Sequence, residues 1–273
     1  MIEAKRLSNN SGQPFTVITA DQAIYKLIVD NLWTNHEGEF QDVYARLGGM
    51  HMIMNVVGAV GKLMQETGLY EILGSAFGSV KKMMHGKQYP QNVRALRMVV
   101  EVLLAKHIKD MQTPEELDGF LQSVSNQSPT SKLWVDNLIQ PVILMMMFTR
   151  AERESDWYLH LYTTNKMIDY FHAAGHVNYA RYGTYYLYSM LSLPEDVKSH
   201  FLKGEHTVGL TPGRMNRIWT DQAIESTTMQ KGHNTGGPCR SGNITNPKAE
   251  ARWALSLPTE LRLKQDLQKN GRN

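Results

Sequence analysis

Apolar and polar positions follow two rhythms along this chain. Phe15 to Ala20 is a short apolar run rich in β-branched residues, and the pattern after it, Ala23, Ile24, Leu27 and Ile28, repeats at helical spacing. The first predicts a buried strand and the second an amphipathic helix, with Asp21 where one gives way to the other. A second unit has the same form. Asp42 to Leu47 reads as a short strand, Gly48-Gly49 as a tight turn, and Met50, Ile53, Met54, Val57, Gly61 and Met64 as the buried stripe of a helix. Strand, helix, strand, helix is a βαβ unit, which implies parallel strands with helices against them.

From Gly68 to about Arg214 nothing reads as strand. Helical patterns run over 69–84, 90–110, 114–124, 132–140, 141–174, 176–191 and 194–203, about seven helices in one block. Thr113-Pro114 with Glu115 and Glu116 marks a helix start, Pro141 suits a first turn, and Gly175 and Gly204 suit helix ends. A further helix is predicted from Thr220 or Asp221 through Glu225, closed by the turn-rich KGHNTGG. The residues before position 14 are polar and expected to be disordered. The tail from 238 to 273 is rich in Pro, Gly and Asn and expected to be poorly ordered.

Composition narrows the classes. With 29 basic and 26 acidic residues the net charge is +3, too small to argue for nucleic acid by itself. One cysteine, Cys239, leaves no disulfide framework and no Cys-based zinc site, and fits a reducing compartment. The N-terminus carries no signal-like apolar run, and the longest such run, Pro141 to Phe148, is too short to span a bilayer, so no membrane partner is expected and an intracellular location is.

Several chemical patterns resolve to plain ones. His172 and His176 sit four apart, but Ala173 stands where a zinc protease needs glutamate, and Gly175 breaks the helix between them. The tyrosines from Tyr179 to Tyr188 and the sixteen methionines read as packing. Gly74 to Lys81 has glycines and a lysine at the wrong spacing for a phosphate loop. Asp21 stays open between two roles, a helix cap and a divalent-metal ligand above the end of its strand. His51, after two glycines, would lie near the same strand ends, as a capping or core residue or as an accessory to Asp21. Glu225 would join them if the late helix returned there, since two-metal phosphoryl transfer needs carboxylates from separate elements to converge.

The order of these motifs resembles the P-element and THAP-type transposases and their transposon-derived relatives. The carriers are the strand ending at Asp21 in VITADQAIYKLI, then Gly-Gly-Met-His-Met at 48–52, the long helical block, and Asp221 to Glu225 followed by Lys231, His233 and Gly236-Gly237. The resemblance implies a mainly α protein with a small βαβ element: a partial RNase H-like fold interrupted by a large all-helical insertion. Its segments would be a partial RNase H-like unit over 14–67, the insertion over 68–214, and a returning helix with the acidic residue over 215–237. It implies Asp21 and Glu225 as catalytic, metal-holding carboxylates, with His51, Lys231 and His233 as accessories, and Mg2+ or Mn2+ as cofactor. DNA is the implied partner, with a homo-oligomer or an upstream transposase segment beside it, and a nuclear location in a eukaryote. The family's first catalytic Asp has no counterpart in the 20 residues before Asp21. A remnant beginning midway through the RNase H-like domain is therefore expected, with strand cleavage lost. The alternative is a non-catalytic helical protein-interaction module.

Overall fold

Two short apolar segments pair because each is flanked by helices that cover its faces. In a computed structural model, which describes residues 1–35, 38–78, 80, 84, 89–209, 213 and 215–224, β1 (Thr16–Ala20) and β2 (Val43–Leu47) form a two-strand parallel sheet. Thr16 lies opposite Val43 and Ala20 opposite Leu47. The crossover is α2 (Gln22–Thr34), and α3 (Gly49–Leu63) follows β2. At the carboxyl end of the sheet Gly48 N–H donates to the Ala20 carbonyl at 2.9 Å, so the two strand-to-helix turns are neighbours.

The rest of the described chain is mostly helical. After α1 (Ile2–Asn10) and the βαβ unit come α4 (Leu69–Gly74), α5 (Tyr89–Ile108), α6 (Pro114–Ser125) and α7 (Pro129–Trp134). A single π-helical turn, Val135–Ile139, leads into α8 (Gln140–Glu154), then α9 (Trp157–Ala173), α10 (Val177–Leu191) and α11 (Glu195–Leu202). Helix α9 packs between α8 and α10 and also touches α3. α3 is therefore buried on more than the stripe its period predicts: Met52, Val56 and Val60 join Met50, Ile53 and Val57 in the core.

Helix ends follow their local chemistry. Asp21 Oδ1 accepts from Ile24 N–H at 2.9 Å, and Thr113 and Glu116 form a reciprocal capping box at α6. Pro141 sits in the first turn of α8.

The structure departs from expectation in four places. The first residues form a helix: α1 buries none of its side chains, but Lys5 pairs with Asp42 at 2.7 Å, a partner that no local pattern reveals. The segment 141–174 is two helices, because Ser155 adopts a left-handed backbone (φ 60°) and Asp156 caps a new helix through Leu159 N–H. The pattern assigned to 69–84 is interrupted: α4 ends at Gly74 and residues 75–78 are turn and bend, while Val80 and Met84 are helical. Near the end of the block expected to be all-helical, β3 (Val208–Gly209) pairs antiparallel with β4 (Arg217–Ile218), which lies in the segment expected to be the returning helix.

The chain divides into two units, Met1–Thr220 and Asp221–Asn273. The described part of the second consists of the last residues of α12 (Thr220–Ile224). Glu225, Lys231, His233, Gly236-Gly237 and the tail lie outside the described residues.

Candidate functional site

Three polar constructions surround the carboxyl end of the sheet. The first is the pair of turns themselves. Asp21 follows β1 directly, and one of its oxygens caps α2. His51 is the third residue of α3, and its carbonyl accepts from the Asn55 amide at 2.9 Å. The Gly48-Gly49 entry has a packing reason beyond the turn. A Cβ on Gly49 would lie 1.9 Å from Trp219 Cδ1, so the indole fills the space where a side chain would stand. Trp219 is buried and stacks on Phe148 with ring centres 6.4 Å apart. After the whole helical block, then, the chain returns to the start of α3.

The second construction is an open cavity of about 480 Å³, lined by Gln22, Asn55, Gly175, His176, Val177, Asn178 and Tyr179. α2 contributes its first residue, α3 contributes Asn55, the first turn of α10 contributes Val177, Asn178 and Tyr179, and the turn between α9 and α10 contributes Gly175 and His176. That turn is possible because Gly175 takes φ 65°, which also ends α9 and separates His172 from His176, as the glycine predicts. The His176 ring reaches α3 at Gly58, where a Cβ would stand 3.2 Å from its Cε1. Burial, and then the charge of Lys62, lower the His176 pKa below the ordinary histidine value.

The third is closed. Glu152 of α8, His160 of α9, Tyr186 of α10, Arg46 of β2 and His206 before β3 are all buried. His160 Nδ1 meets Glu152 Oε1 at 2.5 Å and its Nε2 meets the Tyr186 hydroxyl at 2.8 Å. The Arg46 guanidinium lies over the rings of Trp157 and Phe201, 5.8 and 5.5 Å from their centres, and donates to the His206 carbonyl. Burial would raise the Glu152 pKa, but His160, Arg46 and His206 together hold it below the ordinary carboxylate value. Burial lowers His160, and Arg46 lowers it further against the pull of Glu152. Both directions agree with one state: a Glu152 carboxylate, a neutral His160 donating from Nδ1 and accepting the Tyr186 proton at Nε2, and Arg46 as the balancing cation. His206 is pushed down to about 3, mainly by burial, and is neutral as well.

Of the residues singled out in the sequence, Asp21 and His51 are both carried to the strand ends. The structure says nothing of Glu225, Lys231 and His233, which lie outside the described residues. Among the described residues no three His, Cys, Asp or Glu side chains group to hold a metal ion. Asp21 has the donor chemistry of one ligand to a hard divalent cation and needs a second carboxylate to make a site. In the tyrosine stretch Tyr179, Tyr182 and Tyr186 are packing residues, with Tyr25 meeting the last two edge-on at 6.3 Å each, whereas Tyr185 is half-buried and Tyr188 exposed. The buried cluster went unread in the sequence because its members stand up to 160 positions apart.

The fold and these sites define a mostly helical protein built onto a small parallel βαβ unit. The chain belongs to the family described as Domain of unknown function (DUF8702), which matches residues 1–118 and 111–272. No curated protein and no solved structure matches it. Among the described residues no helix is long and apolar enough to cross a membrane.

Proposed function

We propose that this chain is part of a transposase-like DDE catalytic domain, of RNase H-like descent, whose ancestral chemistry is metal-dependent DNA strand cleavage and transfer, and that the chain by itself does not cleave. The observation that carries this reading is the return of the chain: Asp21 closes β1, α3 opens beside it, and after the long helical block Trp219 packs on Gly49 at the start of α3. A helical insertion between the second and third acidic residues of such a domain has this form. Asp21 is then the carboxylate at the strand end, and Glu225, six positions beyond Trp219 in sequence, the carboxylate of the returning helix. Asp21 and Glu225 are two carboxylates, and a two-metal site needs a third to clamp both ions, so this chain alone is expected not to cleave.

The test is a Mg2+ and Mn2+ titration read as melting temperature on wild type, Asp21→Asn and Glu225→Gln. A metal-dependent rise in wild type that both variants lose is the expected result, because a retained ion stabilises the folded state. Equal behaviour of all three proteins would overturn the shared site. DNA nicking by this chain with either metal is expected at background, and robust nicking abolished by Glu225→Gln would overturn that expectation.

One feature favours the alternative, a helical interaction module. An apolar groove of about 460 Å³, lined by Leu103, Phe120, Leu121, Trp134 and Ile139 among others, opens between α5, α6 and the π-helical turn. In that reading Asp21 serves as a cap alone.

A further inference from the structure

The cavity beside α2 has a character of its own, set by its donors. Its wall carries the amides of Gln22, Asn55 and Asn178 and the imidazole of His176, and no carboxylate among the described residues. Lys62, two turns beyond Asn55 on α3, stands at its edge. A Cβ on Gly175, which lines the cavity, would lie 3.3 Å from the Lys62 ammonium. Lys62 enters no ion pair with the described residues. The His176 ring lines the cavity with its Nδ1 turned into the protein, enclosed and without a hydrogen-bond partner. The first turn of α10, fifteen residues long and uncapped by any side chain, begins at the same wall.

A cation, the imidazole of a lining histidine and amide groups from three separate helices suit a ligand that accepts hydrogen bonds in several directions and carries negative charge. A tetrahedral oxyanion does both. The volume lies within the range of sites that take an organic molecule, so the anion need not be a bare ion. Asp21 precedes Gln22, and its Oδ1 is turned to Ile24 N–H.

We propose that this cavity is a phosphate-binding site, in which Lys62 supplies the charge and Gln22, His176 and Asn178 supply directional contacts. The inference does not rest on metal binding at Asp21, and its test is run in EDTA so that the two readings fail separately.

The experiment is calorimetric titration of the full chain with inorganic phosphate and with pyrophosphate, at constant ionic strength with chloride as the balancing anion. Wild type is expected to bind saturably. Lys62→Gln and Asn178→Asp are each expected to bind at least about tenfold more weakly. Both residues are exposed, so their melting temperatures in chloride should match wild type. A single-stranded oligonucleotide distinguishes the source of the phosphate. Binding that pyrophosphate displaces and both variants weaken assigns the site to a nucleic-acid backbone. No oligonucleotide binding beside saturable pyrophosphate binding assigns it to a small phosphorylated molecule. Absence of saturable phosphate and pyrophosphate binding to wild type, or equal binding by all three proteins, overturns the proposal.

Discussion

The closed cluster around Glu152 and the open cavity around His176 are both polar, and both hold a histidine whose pKa burial lowers. They differ in what completes them. In the closed cluster each charge has its counterpart inside the protein: Arg46 balances Glu152, His160 bridges Glu152 to Tyr186, and the rings of Trp157 and Phe201 cover the guanidinium. In the open cavity the charge of Lys62 has no described counter-ion, while an enclosed ring nitrogen without a hydrogen-bond partner is common to both, His176 Nδ1 here and His206 Nε2 there. A network whose charges balance inside the protein is read as structure, since it ties β2 to three helices and the turn before β3. An unbalanced cation beside polar groups that converge on an open cavity is read as a site waiting for something else. Mutations should separate the two.

The largest effect is expected inside the closed cluster. Glu152→Ala leaves Arg46 buried without its counter-charge, and removing one member of a buried pair costs about 3–5 kcal/mol. Urea denaturation should show that loss as a fall in midpoint. A loss below about 1 kcal/mol would mean that water reaches the cluster and that it is not closed.

Acid should weaken the same cluster. His206 titrates at about 3 in the folded chain against an ordinary value of 6.5, and His160 is also lowered. The unfolded chain therefore binds more protons than the folded one as pH falls below 6.5, so stability present above that value is lost progressively toward about 3. Glu152, lowered as well, acts in the same direction at the acid end of the window: its contribution is present above the ordinary carboxylate value and lost as pH falls through its folded value. Each buried histidine can contribute a slope of up to about 1.4 kcal/mol per pH unit. Denaturation midpoints flat above pH 7 and falling steadily below 6.5 are the expected profile, and a flat profile down to pH 5 would contradict it.

How much of this was legible in the sequence depended on how far apart the partners stand. Asp21, Thr113 with Glu116, Pro141 and Gly175 act on groups within a few positions, and each appears where its local pattern places it. The break at Ser155 was not legible: a serine in the left-handed region carries no local signal, and its hydroxyl is engaged by Thr207, 52 positions on. α1 lacks a buried face and is tied down through Lys5 and Asp42, which are 37 positions apart. Arg46 looked like an ordinary polar residue in a strand until the turn at His206 closed over it. The same holds for Lys62, which only the α9–α10 turn brings to His176.

Asp21 separates cap from ligand at a smaller scale. Asp21→Ala removes the acceptor of Ile24 N–H and should cost about 1 kcal/mol, whereas Asp21→Asn keeps a capping oxygen and should cost a few tenths. If both cost the same in the absence of metal, the carboxylate charge matters to the fold itself, and Asp21→Asn could not serve as a clean probe of ion binding.

The smallest stability effect is expected at the rim of the open cavity, and it is the one that sharpens the contrast most. Lys62→Gln removes an exposed cation that no described carboxylate pairs with, so in chloride it should shift stability by no more than about 0.5 kcal/mol. Removing Lys62 also lifts the charge that lowers His176, so the His176 pKa should rise toward the ordinary value. An NMR titration of the His176 ring would follow this. A rise in that pKa without loss of stability would show that Lys62 holds a field across the cavity and bears no weight in the fold. A large loss of stability would place Lys62 beside Arg46, as a cation whose partner is part of the protein, and the distinction between the two polar sites would fall.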